Sequence, residues 1–310
     1  MHLHRDDRWG GSSLDKGFVL EGVDHGHSHP AQVPRYRTRL PRVHIGLIVG
    51  IGPAATDFYY RSLISRVASA GADLDLTMVH ADTPTLLRNQ AAGAGAAQVA
   101  IYERLTRRLL AAGAQSVAVT SIAGHFCIQD FKGVSVLPVI DLLSVVREGT
   151  RARGYRRVGL LGTKGVMKSG LYGALNDVAT VAPSGATLDR VHTAYVEMAT
   201  TARCTDEQRA VFFDACRTLV EAEGVDAVLL AGTDLALAFS GCSPGFPVFD
   251  CAEAHIEAIA EHALRRQDAL IPGGVSQARN AVQPTSPARP RGGLGWPGCR
   301  PGSASSRHLP

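Results

Sequence analysis

Short apolar runs alternate with longer amphipathic segments between residues 41 and 268. In the first part of this region, the apolar runs predict four buried strands: HIGLIVG (44–50), LDLTMVH (74–80), QSVAVTS (115–121) and VLPVID (136–141). Helical spacing of apolar residues predicts helices over 56–70 and 98–112, the latter from Leu105, Leu109 and Ala112.

The same order of elements recurs in the second part. VGLLGT (158–163), DAVLLAG (226–232) and FPVFD (246–250) predict strands, and helices are predicted around Leu171, over 205–223 and from 252 to about 265. Strands that are apolar throughout and alternate with helices are typical of a parallel sheet covered on both faces. The sequence therefore predicts an α/β fold.

An internal repeat relates the two parts. IGLIVGIGP (45–53) matches VGLLGTKGV (158–166) at an offset of 113 residues. Ser121 pairs with Gly232 at an offset of 111, and Asp141 with Asp250 at an offset of 109. We therefore predict tandem pseudo-symmetric halves over 41–150 and 151–268 with a ligand cleft between them, leaving open whether the last helix packs on the first half.

This repeat has a chemical consequence. Ligands of open parallel sheets bind beyond the carboxyl ends of the strands. Two facing halves would put equivalent loops, those after Val119 and Leu230, on opposite sides of one ligand. Such a pair of loops suits the removal of a proton from one face of a carbon and its return to the other.

Composition narrows the class of protein. The chain has 310 residues, 45% hydrophobic and 19% charged, which is enough apolar material for a large core. We expect no membrane span, because no apolar run reaches about 18 residues. An apolar N-terminal signal segment is absent, and the six cysteines contain no CxxC pair. These features predict a cytoplasmic protein with reduced thiols.

The two ends of the chain differ from its centre. Residues 269–310 hold five Arg and no acid, and residues 1–40 carry a net +1, so the centre carries about −2 of the total +4. We expect no nucleic-acid face there. Both ends are predicted to be disordered tails. The HGHSH run (25–29) could bind a metal, although a solvated tail is the simpler interpretation. We expect no cofactor, since the centre contains no metal-ligand spacing and no phosphate loop.

Five segments of the centre resemble the aspartate/glutamate racemase family, which includes hydantoin racemases, maleate isomerases and arylmalonate decarboxylases. They are VGIGPAAT (49–56), AVTSIAGH (118–125), LLGTKGVMKSGLY (160–172), LLAGTDL (229–235) and PVFDCAEAH (247–255). The resemblance implies a cofactor-independent enzyme, often a homodimer, that acts on a small amino acid or dicarboxylic acid. It also implies two catalytic cysteines, one in each half.

Both cysteine positions are altered in this chain, where Ser121 and Gly232 occupy them. Serine is a far weaker acid and base than a thiol, and glycine has no side chain to offer. The resemblance points to His125 and Asp234 as further candidates for catalysis beside Ser121. Cys127, Cys216 and Cys251 are expected in the core, and Cys242 is an unlikely replacement for a missing thiol.

A second set of residues is predicted to hold the ligand's carboxylate. Its members are glycines that let backbone amides approach and side chains of the equivalent loops: Gly50, Gly52, Thr56, Arg88, Thr163, Lys164, Gly232 and Thr233. Arg88 is assigned to the loop after the second strand.

These features leave alternative functions open. The chain could be an isomerase-type enzyme with altered chemistry, in which protonation from one side, as in a decarboxylase or lyase, needs only one acid. It could instead be a carboxylate-binding or regulatory homologue without activity, or the partner subunit of an intact racemase.

Overall fold

The computed structural model describes residues 43–50, 52–241 and 243–269, with side chains described as far as Leu264. Residues 1–40 and 270–310 of the two predicted tails, including the HGHSH run, lie outside the described residues, as does Cys242, whereas Ala269 ends the last helix. Within them, two four-stranded parallel sheets are flanked by helices, which confirms the predicted α/β fold.

The first sheet has the strand order β2-β1-β3-β4 and the second has the order β6-β5-β7-β8. Their strands are β1 (His44–Val49), β2 (Asp75–His80), β3 (Ser116–Val119), β4 (Val139–Ile140), β5 (Arg157–Gly162), β6 (Ala179–Val181), β7 (Ala227–Ala231) and β8 (Val248–Asp250). Each strand of the first sheet thus has an equivalent in the second, four places later in the chain.

Helices connect the strands in both halves. They are α1 (Pro53–Ser69), α2 (Thr83–Ala91), α3 (Gly95–Ala111), α4 (Ile128–Val134), α5 (Leu142–Ala152), α6 (Lys164–Lys168), α7 (Gly185–Thr201), α8 (Asp206–Glu221), α9 (Ala236–Phe239) and α10 (Cys251–Ala269). Short 3₁₀ segments follow β3 (Ala123–Cys127) and β7 (Thr233–Leu235).

Strand register reproduces the offsets of the repeat. Ile45 pairs with Ser116 in the first sheet, and Val158 pairs with Ala227 in the second. These partners are related by the offsets of 113 and 111 residues found in the sequence. The two halves are therefore equivalent residue by residue along their central strands.

The region around Leu171 differs from the prediction of a helix there. Helix α6 ends at Lys168, and the residues from Gly170 to Gly173 all have positive φ angles, including Leu171 at 57° and Tyr172 at 56°. A left-handed backbone costs non-glycine residues about 1–2 kcal/mol each, and it ends a right-handed helix. The GLYG segment (170–173) is thus a left-handed turn.

The last helix, α10, returns to the first half. Its apolar residues Ile256 and Ile259 are fully buried in a cluster with Leu47 of β1 and Leu63 of α1. His255 adds polar contacts, because its Nδ1 lies 3.0 Å from the Tyr59 hydroxyl and its Nε2 lies 2.9 Å from the carbonyl oxygen of Ile140. Helix α10 thus covers one face of the first sheet.

Candidate active site

Asp234 joins the two halves at the carboxyl end of β7. It lies in the 3₁₀ segment after that strand and is fully buried. Its Oδ1 accepts a hydrogen bond from the backbone nitrogen of Ala55 in the first turn of α1, at 2.9 Å. Its Oδ2 accepts one from the hydroxyl of Tyr195 on α7, at 3.1 Å.

The environment of Asp234 changes its acidity. Burial raises the pKa of this carboxyl to about 7, although the hydrogen bonds from Ala55 and Tyr195 oppose the shift by favouring the charged form. A carboxyl that titrates near neutral pH can both donate and accept a proton under physiological conditions.

Gly52 gives the Asp234 carboxylate the room to reach α1. Its φ of 79° suits glycine, and a Cβ on this residue would lie only 2.5 Å from the Asp234 Cγ. Nearby, the hydroxyl of Thr56 donates to the carbonyl of Gly52 at 3.4 Å, and the carbonyl of Gly50 accepts from Thr83 at 3.1 Å. The Ala55 amide in the first turn of α1 thus donates to a carboxylate of the protein itself, the side chain of Asp234.

Gly232 is the residue of the second half that is equivalent to Ser121, and an aromatic ring occupies the space in front of it. Gly232 has no side chain, and a Cβ on it would lie 2.8 Å from Cζ and 2.9 Å from Oη of Tyr195. Tyr195 is only 3% exposed, and burial raises the pKa of its hydroxyl well above the ordinary value. Any larger residue at position 232 would have to displace this ring.

His125 contacts the backbone of Ser121 and not its hydroxyl. The His125 Nδ1 lies 2.6 Å from the Ser121 carbonyl oxygen, which only accepts, so Nδ1 carries the proton. Burial lowers the pKa of His125, which favours the neutral ring. Its Nε2 is then a lone-pair acceptor, and it is buried without a hydrogen-bond partner.

A cavity of about 290 Å³ borders His125 between the two halves. The first half contributes Cys127, Ser144 and Arg147 to its lining, and the second half contributes Tyr172 and Asn176 from the left-handed turn and the residues after it. Among the predicted catalytic residues, only His125 lines this cavity.

The left-handed turn holds Tyr172 against the loop after β3. The Tyr172 hydroxyl donates to the Ala123 carbonyl at 3.1 Å, and the Gln90 amide donates to the same carbonyl at 3.0 Å and to the hydroxyl at 2.5 Å. Ser169 supports the turn, since its hydroxyl accepts from the Tyr172 amide at 3.0 Å. Gln90 is not among the site residues predicted from the sequence, because the spacing of apolar positions does not reveal a polar contact between distant residues.

The loop after β5 is occupied by structural contacts. The Thr163 hydroxyl caps α6 by accepting from the Val166 amide at 3.4 Å. The ammonium of Lys164 pairs with Asp189 of α7. Thr233, in the equivalent loop after β7, is buried. Their predicted contacts with a ligand stay predictions.

The assignment of Arg88 to a loop is wrong. Arg88 lies in α2, is exposed, and donates to the Thr85 hydroxyl at 2.9 Å. Helix α2 begins at Thr83, before Arg88, because Asp82 caps it by accepting from the Thr85 amide at 2.9 Å and because Pro84 lies in its first turn.

Cys127, Cys216 and Cys251 do not supply an activated thiol. Cys127, Cys216 and Cys251 are buried, as expected for core residues. Burial raises the pKa of the Cys127 and Cys216 thiols to about 12, which keeps them protonated.

Two further observations concern the described residues as a whole. None of their helices combines the length and the apolarity that crossing a membrane would require. Across the same described ranges, no three His, Cys, Asp or Glu side chains are grouped as metal ligands would be.

Known proteins share this architecture. An aspartate racemase homologue from Pyrococcus horikoshii OT3 is 24% identical, covers 72% of this chain and 99% of its own, and has a TM-score of 0.61. For the aspartate racemase of Picrophilus torridus, the identity is 20%, the coverage 71% and 94%, and the TM-score 0.55. For the glutamate racemase of Francisella tularensis, solved with D-glutamate, they are 12%, 74% and 84%, and 0.53.

These similarities show a shared fold. No curated protein matches the chain. The family model of the Asp/Glu/hydantoin racemases, however, matches residues 48–259, well over half of the chain and both of its sheets. The chain therefore belongs to the Asp/Glu/hydantoin racemase family.

Proposed function

We propose that this protein is a cofactor-independent, isomerase-type enzyme that moves a proton at the α-carbon of a small amino acid or dicarboxylic acid. The observation that carries the proposal is Asp234, a buried carboxyl with a pKa of about 7 at the boundary between the halves. Because its pKa lies close to neutral pH, it suits proton transfer at the carboxyl ends of the strands.

The first half offers a candidate base. His125 is neutral, its Nδ1–H is held by the Ser121 carbonyl, and its Nε2 lone pair lacks a partner. A neutral imidazole with one nitrogen fixed by a carbonyl has its other nitrogen free to take a proton. Ser121 lies just after β3, and its hydroxyl would hydrogen-bond the ligand. Thr163, Thr233 and backbone amides would hold its carboxylate oxygens.

The chemistry proposed here needs one proton-transferring group. In a hydrogen-exchange reaction, the α-carbon C–H bond breaks, the proton moves to the base, and a solvent-derived proton returns to the same face. In a decarboxylase-type reaction, the C–CO₂ bond breaks instead, and the resulting carbanion takes one proton. Neither step requires a thiol, which agrees with Ser121 and Gly232 at the two cysteine positions.

Solvent deuterium exchange tests this function. The purified protein in D₂O would be incubated with aspartate, glutamate and malonate derivatives, and deuterium at the α-carbon followed by mass spectrometry. We expect exchange in the wild-type protein and a loss of about 100-fold or more in the double variant His125→Asn/Asp234→Asn, which lacks the candidate base of the first half and the buried carboxyl together. Asp57→Asn, the same change on the exposed surface of α1, is the matched control and should exchange like the wild type.

Ser121 is tested separately. If its hydroxyl faces the reacting carbon, Ser121→Cys should raise the exchange rate, because a thiolate is the stronger base. An unchanged rate would count against Ser121 at the reactive face.

A regulatory, carboxylate-binding protein is the second candidate. One observation favours it: the Ala55 amide, where a ligand's carboxylate could bind, already holds the Asp234 carboxylate. A ligand that displaced Asp234 would change the contact between the halves and could thereby signal its presence. Thermal stabilisation by dicarboxylic acids without any deuterium exchange would support this function over the enzyme.

The oligomeric state is a further part of the proposal. We expect a homodimer, on the resemblance of the five sequence segments to the family. Light scattering coupled to size-exclusion chromatography would give the mass in solution, and a monomer across the micromolar range would contradict it.

A further inference from the structure

The two loops expected to face the ligand are unequal. Ser121 follows β3 and Gly232 follows β7, and these strands hold the same place in their sheets. The first loop presents a hydroxyl, and the second presents no side chain of its own. We call the side of the ligand site at which a side chain on residue 232 would stand the second wall.

Tyr195 fills the second wall. Its Oη would lie 2.9 Å and its Cζ 2.8 Å from a Cβ at residue 232, so ring and hydroxyl take up the space into which a side chain there would point. The ring comes from α7, a different element, and is buried. A phenol hydroxyl therefore stands close to the place where a thiol on residue 232 would be.

The hydroxyl is also connected to a proton source. It donates to Oδ2 of Asp234 at 3.1 Å while that carboxyl is ionised. When Asp234 is protonated, the carboxyl can donate to the phenol oxygen instead, which frees the phenol hydrogen for another acceptor. A phenol alone is a poor acid, but a phenol joined to a carboxyl can pass on the carboxyl's proton.

We propose that Tyr195 is the proton-transferring group of the second wall, so that the protein acts on both faces of its ligand and inverts a stereocentre. The inference rests on the proposed function, which by itself requires proton transfer on one face only. It adds a residue from α7 and a stereochemical outcome to that function.

The proton balance of this step closes without a further reactant. As the C–H bond to the α-carbanion forms, the O–H bond of Tyr195 breaks, and the Asp234 carboxyl proton moves to the phenol oxygen. Asp234 is left as the carboxylate. In the reverse direction, the C–H bond breaks, Tyr195 takes that proton, and its own proton passes to Asp234. The first half serves the other face.

Stereochemistry in D₂O is the test. Single enantiomers of aspartate and glutamate would be incubated with the protein, separated by chiral chromatography and analysed by mass spectrometry. The wild type should yield the deuterated opposite enantiomer. Tyr195→Phe keeps the ring and removes the hydroxyl, so it should still incorporate deuterium with retention while inversion falls by about 100-fold or more. Asp57→Asn should invert like the wild type.

Each alternative result has a definite meaning. Inversion by Tyr195→Phe at the wild-type rate overturns the role of Tyr195, and so does a wild type that exchanges with retention only. Both results leave the proposed function standing. A wild type that exchanges neither enantiomer overturns the proposed function and this inference together.

A second measurement needs no substrate. Gly232→Cys should lower the melting temperature in the wild-type background, because its Cβ meets the ring of Tyr195. In a Tyr195→Ala background the space is free, so the same substitution should cost much less. An equal decrease of the melting temperature in both backgrounds would show that the ring does not occupy the second wall, and would overturn the inference.

Discussion

The carboxylate of Asp234 accepts a hydrogen bond from the amide nitrogen of Ala55 at 2.9 Å, so a side chain of the second half caps the first helix of the first half. The same carboxylate accepts the hydroxyl of Tyr195, and no solvent reaches it. Its ionisation must therefore affect the stability of the folded chain, and the contact can be tested without knowledge of the substrate.

Asp234 should make the protein less stable as the pH rises. Its pKa is raised from 3.8 to about 7, so the folded state binds this proton more tightly than the unfolded state does. The resulting stabilisation is present at pH 4 and is lost as the pH rises through 7, by a few kcal/mol in total. The Asp234→Asn variant has no carboxyl at this position, so it lacks this dependence of stability on pH. Urea unfolding from pH 5 to 8 should show the wild type losing stability relative to this variant, whereas Asp57→Asn should follow the wild type.

Gly52 should tolerate no side chain. Gly52→Ala forces a positive φ on alanine and brings its Cβ against the Asp234 carboxylate, so we expect a loss of about 2–4 kcal/mol. Gly71→Ala is the matched control, because its φ of 73° is similar and a Cβ there meets nothing within 4 Å. It should lose only about 1 kcal/mol. Equal losses in the two variants would contradict the close contact with Asp234.

Two carboxyls at equivalent places in the repeat should titrate differently. Asp141 caps α5 and Asp250 caps α10. Burial raises the pKa of Asp141, whereas the neighbouring His125 and the ammonium of Lys132 at 3.0 Å lower it, with a net decrease. Burial raises the pKa of Asp250 to about 6, which its two backbone hydrogen bonds oppose.

Carboxyl NMR should therefore show Asp250 taking up a proton near pH 6 while Asp141 stays ionised. Lys132→Met should raise the pKa of Asp141 and destabilise the protein by about 1 kcal/mol, since the ammonium is partly exposed. Lys168→Met, on the exposed surface of α6, should change neither quantity. A pKa of Asp141 that is unmoved in Lys132→Met would refute the role of this ion pair.

His255 should make the protein sensitive to acid. Burial, with a contribution from His125, lowers its pKa from 6.5 to about 3. As the pH falls below about 6.5, His255 becomes protonated in the unfolded chain but stays neutral in the folded chain. The free energy of unfolding therefore has its full value above pH 6.5 and decreases as the pH falls. The loss should reach about 2 kcal/mol by pH 5.

The double variant Tyr59→Phe/His255→Phe isolates this effect. It removes both partners of the buried hydrogen bond between α1 and α10 together, and should be less stable at pH 7 but less sensitive to acid. His80→Phe, an exposed histidine of β2, is the control and should retain the wild-type dependence on pH. If the double variant loses stability with acid as steeply as the wild type, another group is responsible.

The repeat made the architecture predictable. Buried parallel strands such as β1 and β7 are apolar throughout, so they can be recognised and aligned from the sequence alone. The strand partners Ile45–Ser116 and Val158–Ala227 follow the offsets of that alignment. Helix ends were predicted less accurately, as at α1, which begins at Pro53, three residues before the predicted start.

The misplaced elements depend on signals other than periodicity. Arg88 was assigned to a loop, although the Asp82 cap and Pro84 begin a helix before it. Leu171 was assigned to a helix, although a left-handed turn that depends on contacts of Tyr172 with the other half interrupts it. The spacing of apolar residues along the chain carries no information about contacts between residues that are distant in the sequence.

The candidate site was predictable only in part. Asp234 and His125 were found through the resemblance of their segments to a family, but their partners were not. Tyr195 lies in a helix that the apolar pattern did not predict, and it meets Gly232 only after the chain has folded. The missing side chain was visible in the sequence, and the group that fills its space was not.

The return of α10 to the first sheet binds the two halves into one unit of folding. A fragment that ended before Cys251 would leave Leu47, Leu63 and their neighbours facing water on one side of the sheet. Although the chain carries a duplicated pattern, neither copy can be excised intact at the midpoint. A gene cut at residue 150 would yield an aggregation-prone product, and a minimal first half would have to borrow this terminal helix.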